Sequence, residues 1–292
     1  MIASACKKAE TLLRVPLSAG PSASPVRFCQ ASRWPELRGA FSLLYKNYLA
    51  KGLLRPDPVG LRYTHYNLLP ESATFVAATP ARTLATFSLI PDTRSFGLPM
   101  DTLYREELDR LRTGARPAEI SGLAVAPSYE SVSLLLILNL VRLMYHYAGK
   151  IGVTDLVVAC HPRHARLYTR LFGFEQMGPL RTYRAVNDAP AVALRLCLAD
   201  AEERYRAEYG AGQGLHGFFF RQLVAPPNEP LRAGAMDPAA ARQLLALRPE
   251  LVEALEAGDP GLVGRLTGWH LPTARRFLPE APTGWMPAFV AA

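Results

Sequence analysis

Residues 117–127 read PAEISGLAVAP, and they decide the fold because they set an acidic side chain inside an apolar run of strand length. Strand side chains alternate between faces, so Glu119, Ser121 and Leu123 are expected on one face, with Ile120, Gly122 and Ala124 on the other. Burying a bare carboxylate is costly, so Glu119 must be hydrogen-bonded, paired or used in chemistry. Two readings stand side by side. Glu119 is a functional group in a cleft, or it is a structural residue that ties down a neighbouring loop.

After this strand comes a turn and then a stretch, 132–147, that is apolar nearly all round and reads as a buried helix. Its longest apolar run, 134–145, is broken by Asn139 and Arg142 and is short for a membrane span. Val153, Leu156, Val157 and Val158 mark 153–160 as a central strand. A short helix over 161–171 stops at Gly173, and two more strands are expected within 174–183 and 191–198. Before the Glu119 strand, Leu37, Phe41, Leu44, Tyr45, Tyr48 and Leu49 recur at helical spacing over 35–51, with Gly52 as a stop. Strands are expected at 73–78 and 83–90, then a Pro- and Gly-bearing loop over 91–99. A charged helix follows over 101–112, with Asp101 as its cap. The order of elements gives an α+β fold with a mixed central sheet flanked by helices.

The ends read differently. Residues 1–25 contain Lys7 and Lys8 but no continuous apolar segment, which predicts a disordered lead and no signal peptide. The main domain is expected over 26–225. Residues 226–292 form a short helical extension, because Asp237 before Pro238 and Asp259 before Pro260 each combine a cap with a first-turn proline. Nothing in the extension carries chemistry, and it is expected to pack on the main domain or on another subunit. An apolar share of 49% excludes global disorder. Cys6, Cys29, Cys160 and Cys197 are widely spaced with no CxxC pair, which argues against zinc and against a disulfide framework and for a reducing cytoplasm, and no metal-binding residues are expected. The net charge of +8 comes from dispersed Lys and Arg with no nucleic-acid-binding signature, so an acidic protein partner is expected rather than RNA or DNA.

Four segments in order carry a resemblance. They are YKNYLAKGLL (45–54), LRYTHYNLLPESATFVA (61–77), TFSLIPDTRSFGLPMDTLYREELDRLR (86–112) with AEISGLAV close behind, and HPRHARLYTRLFGFEQMG (161–178). Together they resemble the N-acyl amino acid synthase branch of the GNAT-like acyltransferases, which is related to the acyl-homoserine-lactone synthases. The resemblance implies a GNAT-like fold and an enzyme that moves a fatty acyl group from a thioester to an amine. Glu119 and Ser121 match an E-x-S-R stretch whose Glu helps to deprotonate the amine in the lactone synthases, while Gly122 stands where those relatives usually carry Arg. Tyr168 matches a Tyr that protonates the leaving thiolate in many GNAT enzymes, with packing as its alternative role. Arg62 and Arg94 fall in segments that line the acceptor side of the relatives, where either could clamp a carboxylate bidentately. The acceptor is then an amino acid or related small amine. Any membrane contact is expected to be peripheral, through the lipid product, with no integral segment.

Residue chemistry fits this reaction. An α-amino group of pKa ~8 is about a tenth neutral at pH 7, so a Glu raised by burial beside Leu123 and Ala124 suffices as base through a water, with a purely substrate-orienting role as its alternative. Backbone donors at Ala124, Val125 and Ala126 are expected to hold the developing oxyanion. Coenzyme A enzymes of this fold generally cradle the pyrophosphate in a Gly-rich turn. Here the turn and helix start, PSYESVSLL (127–135), hold no glycine, and Ser131, Val132 and Ser133 can meet a single phosphate. An acyl carrier protein thioester, with its one-phosphate phosphopantetheine arm, is therefore preferred to coenzyme A as donor, with no permanently bound cofactor. Lys150, Arg163, Arg166 and Arg170 suit an acidic carrier. Tyr45, Tyr48, Tyr63 and Tyr66 either shape the acceptor pocket or fill the core. Cys160 beside His161, with His164 near, is disfavoured as a nucleophile, since neighbours on a strand face opposite ways and Cys is usually a buried hydrophobe. A lactone-forming signal synthase and a catalytically idle acyl- or carrier-binding module are the competing functions.

Overall fold

The computed structural model describes residues 25–221 and 230–269. The lead and the last part of the extension lie outside the described residues. Strands β1 (Arg27–Gln30), β2 (Ala73–Ala78), β3 (Thr83–Pro91), β4 (Pro117–Val125), β5 (Asp155–Cys160), β6 (Glu175–Gln176), β7 (Arg181–Tyr183) and β8 (Ala189–Cys197) form one mixed sheet. Its order is β1-β2-β3-β4-β5-β8-β6, with β7 also on β8. β4 and β5 are the parallel pair, and the other pairings are antiparallel.

The helices sort by face. α1 is Trp34–Ala50, α2 Asp101–Arg112 and α3 Ser133–Lys150, the last forming the β4–β5 crossover that a parallel pair requires. α4 (Pro162–Leu167) runs into a π turn, Tyr168–Phe172, that ends at left-handed Gly173. α5 (Leu198–Tyr209) and α6 (Gly214–Phe220) follow β8. One face of the sheet packs Phe75, Phe87 and Ile120 against Leu136, Leu140 and Met144 of α3, with Tyr205 and Phe219 of α5 and α6 behind them. The opposite face carries two separate clusters. α1 covers Cys29 and Val76 on the β1–β2 side, and α2 covers Ile90, Val157 and Ala193. Tyr66 touches both clusters, at the seam between them.

The extension supplies α7 (Pro238–Leu247), α8 (Glu250–Gly258) and α9 (Leu262–Thr267), which pack through Leu244, Leu255 and Val263 on the α1 cluster. Asp237 caps α7 as expected, accepting from the Ala239 N–H at 2.8 Å. Asp259 does not cap α9. Its carboxylate pairs with Arg265, and Glu256 accepts from the Gly261 and Val263 N–H groups at 2.7 and 2.8 Å instead.

Other expectations also needed correction. Asp101 is the first residue of α2 rather than its cap, and its carboxylate reaches back to the Leu98 N–H at 2.6 Å. Asp101 also joins Asp92 and Asp109 around the Arg112 guanidinium, which locks the 91–101 loop onto α2. The helical stretch Pro127–Lys150 runs past the apolar run and has the length and hydropathy of a membrane span. In its most apolar window 61% is buried against the sheet, as in a core helix. No sequence signal assigned α5 and α6. α5 is a mostly polar helix that buries only Ala201 and Tyr205, so its place is set by packing.

Candidate active site

The site begins with a break in β4. Ser88 of β3 faces Ser121, yet Thr86 faces Ala124, so β4 carries one residue more than its partner across this interval. That is a bulge, and Gly122 sits in it at φ +69°, a left-handed conformation that suits glycine. A Cβ at Gly122 would also lie 2.9 Å from Cδ2 of Leu44 on α1. The bulge overturns the simple alternation expected for this strand. Glu119 faces the α1–α2 side, but Leu123 swings over to join Ile120 on the α3 side, where both line one apolar slot.

The bulge coincides with a parting of the sheet. β4 pairs with β5 only over Pro117–Glu119, against Asp155–Val157, and the strands diverge beyond that point. Ala126 gives its N–H to the Leu84 carbonyl at 2.7 Å, and Ala124 stands opposite Thr86 in the same ladder. Antiparallel alternation turns the N–H and C=O of Val125 the other way, toward the parted edge. Of the three amides expected to serve the donor, Val125 is thus the one so placed. Its carbonyl accepts from Nδ2 of Asn47 at 2.8 Å. Asn47 was not singled out from the sequence, although it falls three residues after Leu44 on the apolar stripe of α1. A polar residue in that position was the available signal.

Glu119 is 3% exposed, and its Oε2 accepts from the Met100 N–H at 2.8 Å. Burial pushes its pKa up to about 8; the nearby Asp101 charge adds to the rise and the Met100 bond opposes it. Both readings of this residue therefore have a counterpart: the carboxylate ties down the loop before α2, and it is poised near the pKa of an amine. Around it lie three phenols. Tyr48 from α1, Tyr66 from the 3₁₀ turn His65–Leu68 and Tyr183 from β7 are all raised, first by burial and also by the Glu119 charge, Tyr66 to about 12. The Tyr66 hydroxyl donates to the Phe96 carbonyl and that of Tyr183 to the Pro99 carbonyl.

Arg62 lies beside the same group. Its guanidinium carbon is 4.8 Å from the Tyr48 ring centroid, and Nη2 donates to the Ala185 carbonyl at 3.1 Å. Burial lowers its pKa, while Tyr48 and Tyr183 partly offset this. Tyr48 feels the charges of both Arg62 and Glu119, so the two stand around one phenol. Arg94 is exposed, in the turn closed by the Gly97 N–H to the Thr93 carbonyl. The four tyrosines of the sequence reading divide: Tyr48 and Tyr66 face Glu119, Tyr63 bonds the Leu244 carbonyl in the core, and Tyr45 bonds Asp57. Tyr183 escaped the sequence reading because β7 approaches only through the folded sheet.

On the other face, Phe87, Ile120, Leu123, Ile137, Val141 and Tyr168 line the slot between sheet and α3. It stands nearly shut, with room for about one water molecule. Tyr168 is 7% exposed, packs edge-on against Phe174, and has its phenol pKa raised by burial with Cys160 and Tyr48 adding to the rise. Burial also lifts the Cys160 thiol to about 11, the wrong direction for a nucleophile. Ser131 lies in the 3₁₀ turn Pro127–Val132, and α3 begins at Ser133 with Val132 as its N-cap and no side-chain cap. The first-turn amides of α3 therefore open at the end of the sheet where β4 and β5 part. Arg163, Arg166 and Arg170 are exposed on the segment after β5 at this same end. His164 has its pKa lowered by burial and by Arg163, Lys51 and His161, which brings the end of α1 into the same basic rim. Lys150 does not belong to it. Its Nζ bonds the Leu231 carbonyl at the other end of α3, about 25 Å away at 1.5 Å per residue.

A buried carboxylate thus lies beside the point where β4 and β5 part, on a mixed sheet flanked by helices whose fold is shared with a synthase of known structure. A family model described as N-acyl amino acid synthase FeeM matches residues 39–197, more than half of the chain, and the chain belongs to that family. Among solved structures it is similar to FeeM, an N-acyl amino acid synthase from uncultured soil microbes, at 26% identity and a TM-score of 0.53, covering 61% of this chain and 94% of that one. It is also similar in fold to BjaI, a CoA-dependent acyl-homoserine lactone synthase (14% identity, TM-score 0.49, 75% of this chain and 98% of that one). The lactone synthase LasI aligns at 16% identity and a TM-score of 0.45, over 59% of this chain and 89% of that one. A search of proteins of curated function finds no match.

Proposed function

We propose that the chain joins a fatty acyl group, delivered as an acyl carrier protein thioester, to the amine of a free amino acid. The observation that carries this reading is the placement of Glu119 and Arg62 around Tyr48. One group suits an amine and the other a carboxylate, within a buried polar cluster beside the parted edge of β4, which is assigned here as the acceptor chamber. The amine nitrogen attacks the thioester carbonyl, forming the C–N bond while its proton passes to Glu119. With both groups near pKa ~8 the transfer is close to isoenergetic. The Val125 N–H supports the developing oxyanion. Collapse breaks the C–S bond, and the departing thiolate takes a proton from the now neutral Glu119 or from Tyr168. No covalent enzyme intermediate is needed.

The acyl chain is assigned to the slot lined by Ile120 and Leu123, which must open by a shift of α3 to admit it. Ser131, Val132 and Ser133 are assigned to the donor phosphate, Ser121 to the acceptor side of the chamber and Arg94 to a solvated role. A glycine-free turn and the rim of Lys51, Arg163 and Arg166 favour a single phosphate carried by an acidic protein, and the reaction is assigned to the cytoplasm. The test is mass spectrometry of lipids from cells overexpressing the chain or its Glu119→Gln variant. New N-acyl amino acids that vanish in the variant are expected. An acylated lactone would redirect the reading to a signal synthase, and retention of acyl carrier protein with no new lipid would make the chain a binding module.

A further inference from the structure

We infer that the C-terminal helices build the outer wall of the acceptor chamber and that Arg248 is the positioning residue through which they fix Arg62. This rests on the assignment of Arg62 to the acceptor carboxylate. The family match ends at residue 197, so the whole α7–α9 unit lies beyond the part of the chain that defines the family.

The geometry converges on Arg62 from both sides of the chain. Arg248 closes the C-terminal end of α7, and its side chain is 13% exposed. Nη2 bonds the Asp57 carboxylate and also the Leu61 carbonyl at 3.1 Å, the guanidinium lies 5.4 Å from the Tyr63 ring centroid, and Nη1 reaches Glu250 at 3.4 Å. The Tyr63 hydroxyl donates to the Leu244 carbonyl at 2.7 Å. Residues 57, 61 and 63 are thus all held by the turn that ends α7, and Arg62 is the residue between two of them. On its inner side the Arg62 N–H bonds the Phe41 carbonyl of α1 at 3.1 Å. Asp57 and Glu250 neutralise Arg248, so its role is to hold backbone, although it stands close enough to depress the Arg62 pKa.

A second contact repeats the theme. A Cβ at Gly258, the last residue of α8, would lie 2.4 Å from Cε1 of Phe96. The Phe96 carbonyl accepts the Tyr66 hydroxyl at 3.3 Å, and its ring lies 5.8 Å from His65. The end of α8 therefore presses on the loop that orients another wall of the chamber.

Steady-state kinetics of the full chain with its best acceptor from a panel of amino acids, and with the decarboxylated amine of that acceptor, test the inference. Arg248→Met is expected to raise the acceptor KM about tenfold while kcat, the acyl-donor KM and the KM for the decarboxylated amine stay within about threefold. Arg248→Lys should fall between, since an ammonium can hold Asp57 but not Asp57, Leu61 and the Tyr63 face together. Arg62→Met is the control. It should raise the same KM, and the double variant should lose no more than Arg62→Met alone. If Arg62→Met acts and Arg248→Met does not, the inference is overturned and the function stands. If Arg62→Met changes nothing, the carboxylate assignment itself falls. Should Arg248→Met fail to fold, Arg248→Lys and Gly258→Ala carry the test, and an unchanged amino-acid KM in both overturns it.

Discussion

The two faces of β4 serve compartments of opposite chemistry. On the α3 side, Ile120 and Leu123 meet Ile137 and Val141 in a dry slot assembled from neighbouring elements of the chain. On the α1–α2 side, Tyr48, Tyr66 and Tyr183 surround Glu119, and Arg62 lies over the ring of Tyr48; the four come from a helix, a turn, a distant strand and an extended segment. The difference teaches that an apolar wall can be coded locally, because any residue of suitable size fills it. A polar chamber cannot. Each buried charge or hydroxyl there needs a named partner, and the partners come from wherever the fold delivers them. One glycine separates the two compartments: the bulge at Gly122 sends Leu123 to the slot and leaves Glu119 in the chamber.

The comparison is broken most severely on the chamber side. Glu119→Gln is expected to cut turnover ~100-fold or more. In the parent chain kcat/KM should rise with pH to about 8, because both the base and the amine must lose a proton, and the variant should keep only the amine's share of that rise. Stability should move the opposite way. A carboxyl raised from 4.5 to about 8 stays protonated when folded and ionises when unfolded, so the parent loses stability as pH rises between those values. The Tm of Glu119→Gln relative to the parent should therefore climb across pH 4.5 to 8 and then stay level. A fall in Tm together with the loss of activity would mark Glu119 as structural only.

Gly122→Val attacks the boundary itself. A β-branched residue at φ +69° facing Leu44 should cost about 2 kcal/mol or more in denaturant unfolding and impair both compartments. An unaffected midpoint would mean that the bulge does not depend on this glycine. Leu123→Trp should act on the slot alone. Its bulk should shorten the acyl chain in the product profile while the acceptor KM changes less than about twofold, and a longer chain would place the acyl group elsewhere. Tyr145→Phe should do least. The Tyr145 hydroxyl is buried with no hydrogen-bond partner among the described residues, so its removal should leave stability equal or up to about 1 kcal/mol higher. A loss above that size would reveal a partner for it.

Much of this was legible in the residues. β2 and α2 fall on their expected limits because alternation and helical periodicity are local signals. Glu119 stood out because a carboxylate in an apolar strand violates the pattern around it. Other features were not legible. The register slip at Gly122 depends on pairing with β3, and a lone glycine in a strand does not say whether it bends, bulges or only packs. Asp259 looked like a cap, but Glu256 from the helix before it reached the same N–H groups. Tyr183 and Asn47 reach the site only when β7 and α1 are laid against β4.

The sequence by itself determined the α+β class, the buried helix after the Glu119 strand, and the acidic residue itself, since period, length and polarity are properties of a few consecutive residues. Tertiary structure alone decided which tyrosines surround Glu119, that Arg62 packs on one of them, and that the carboxyl is pushed up to about 8. Those outcomes follow from desolvation and from charges brought close by distant segments, and no local stretch of chain contains them.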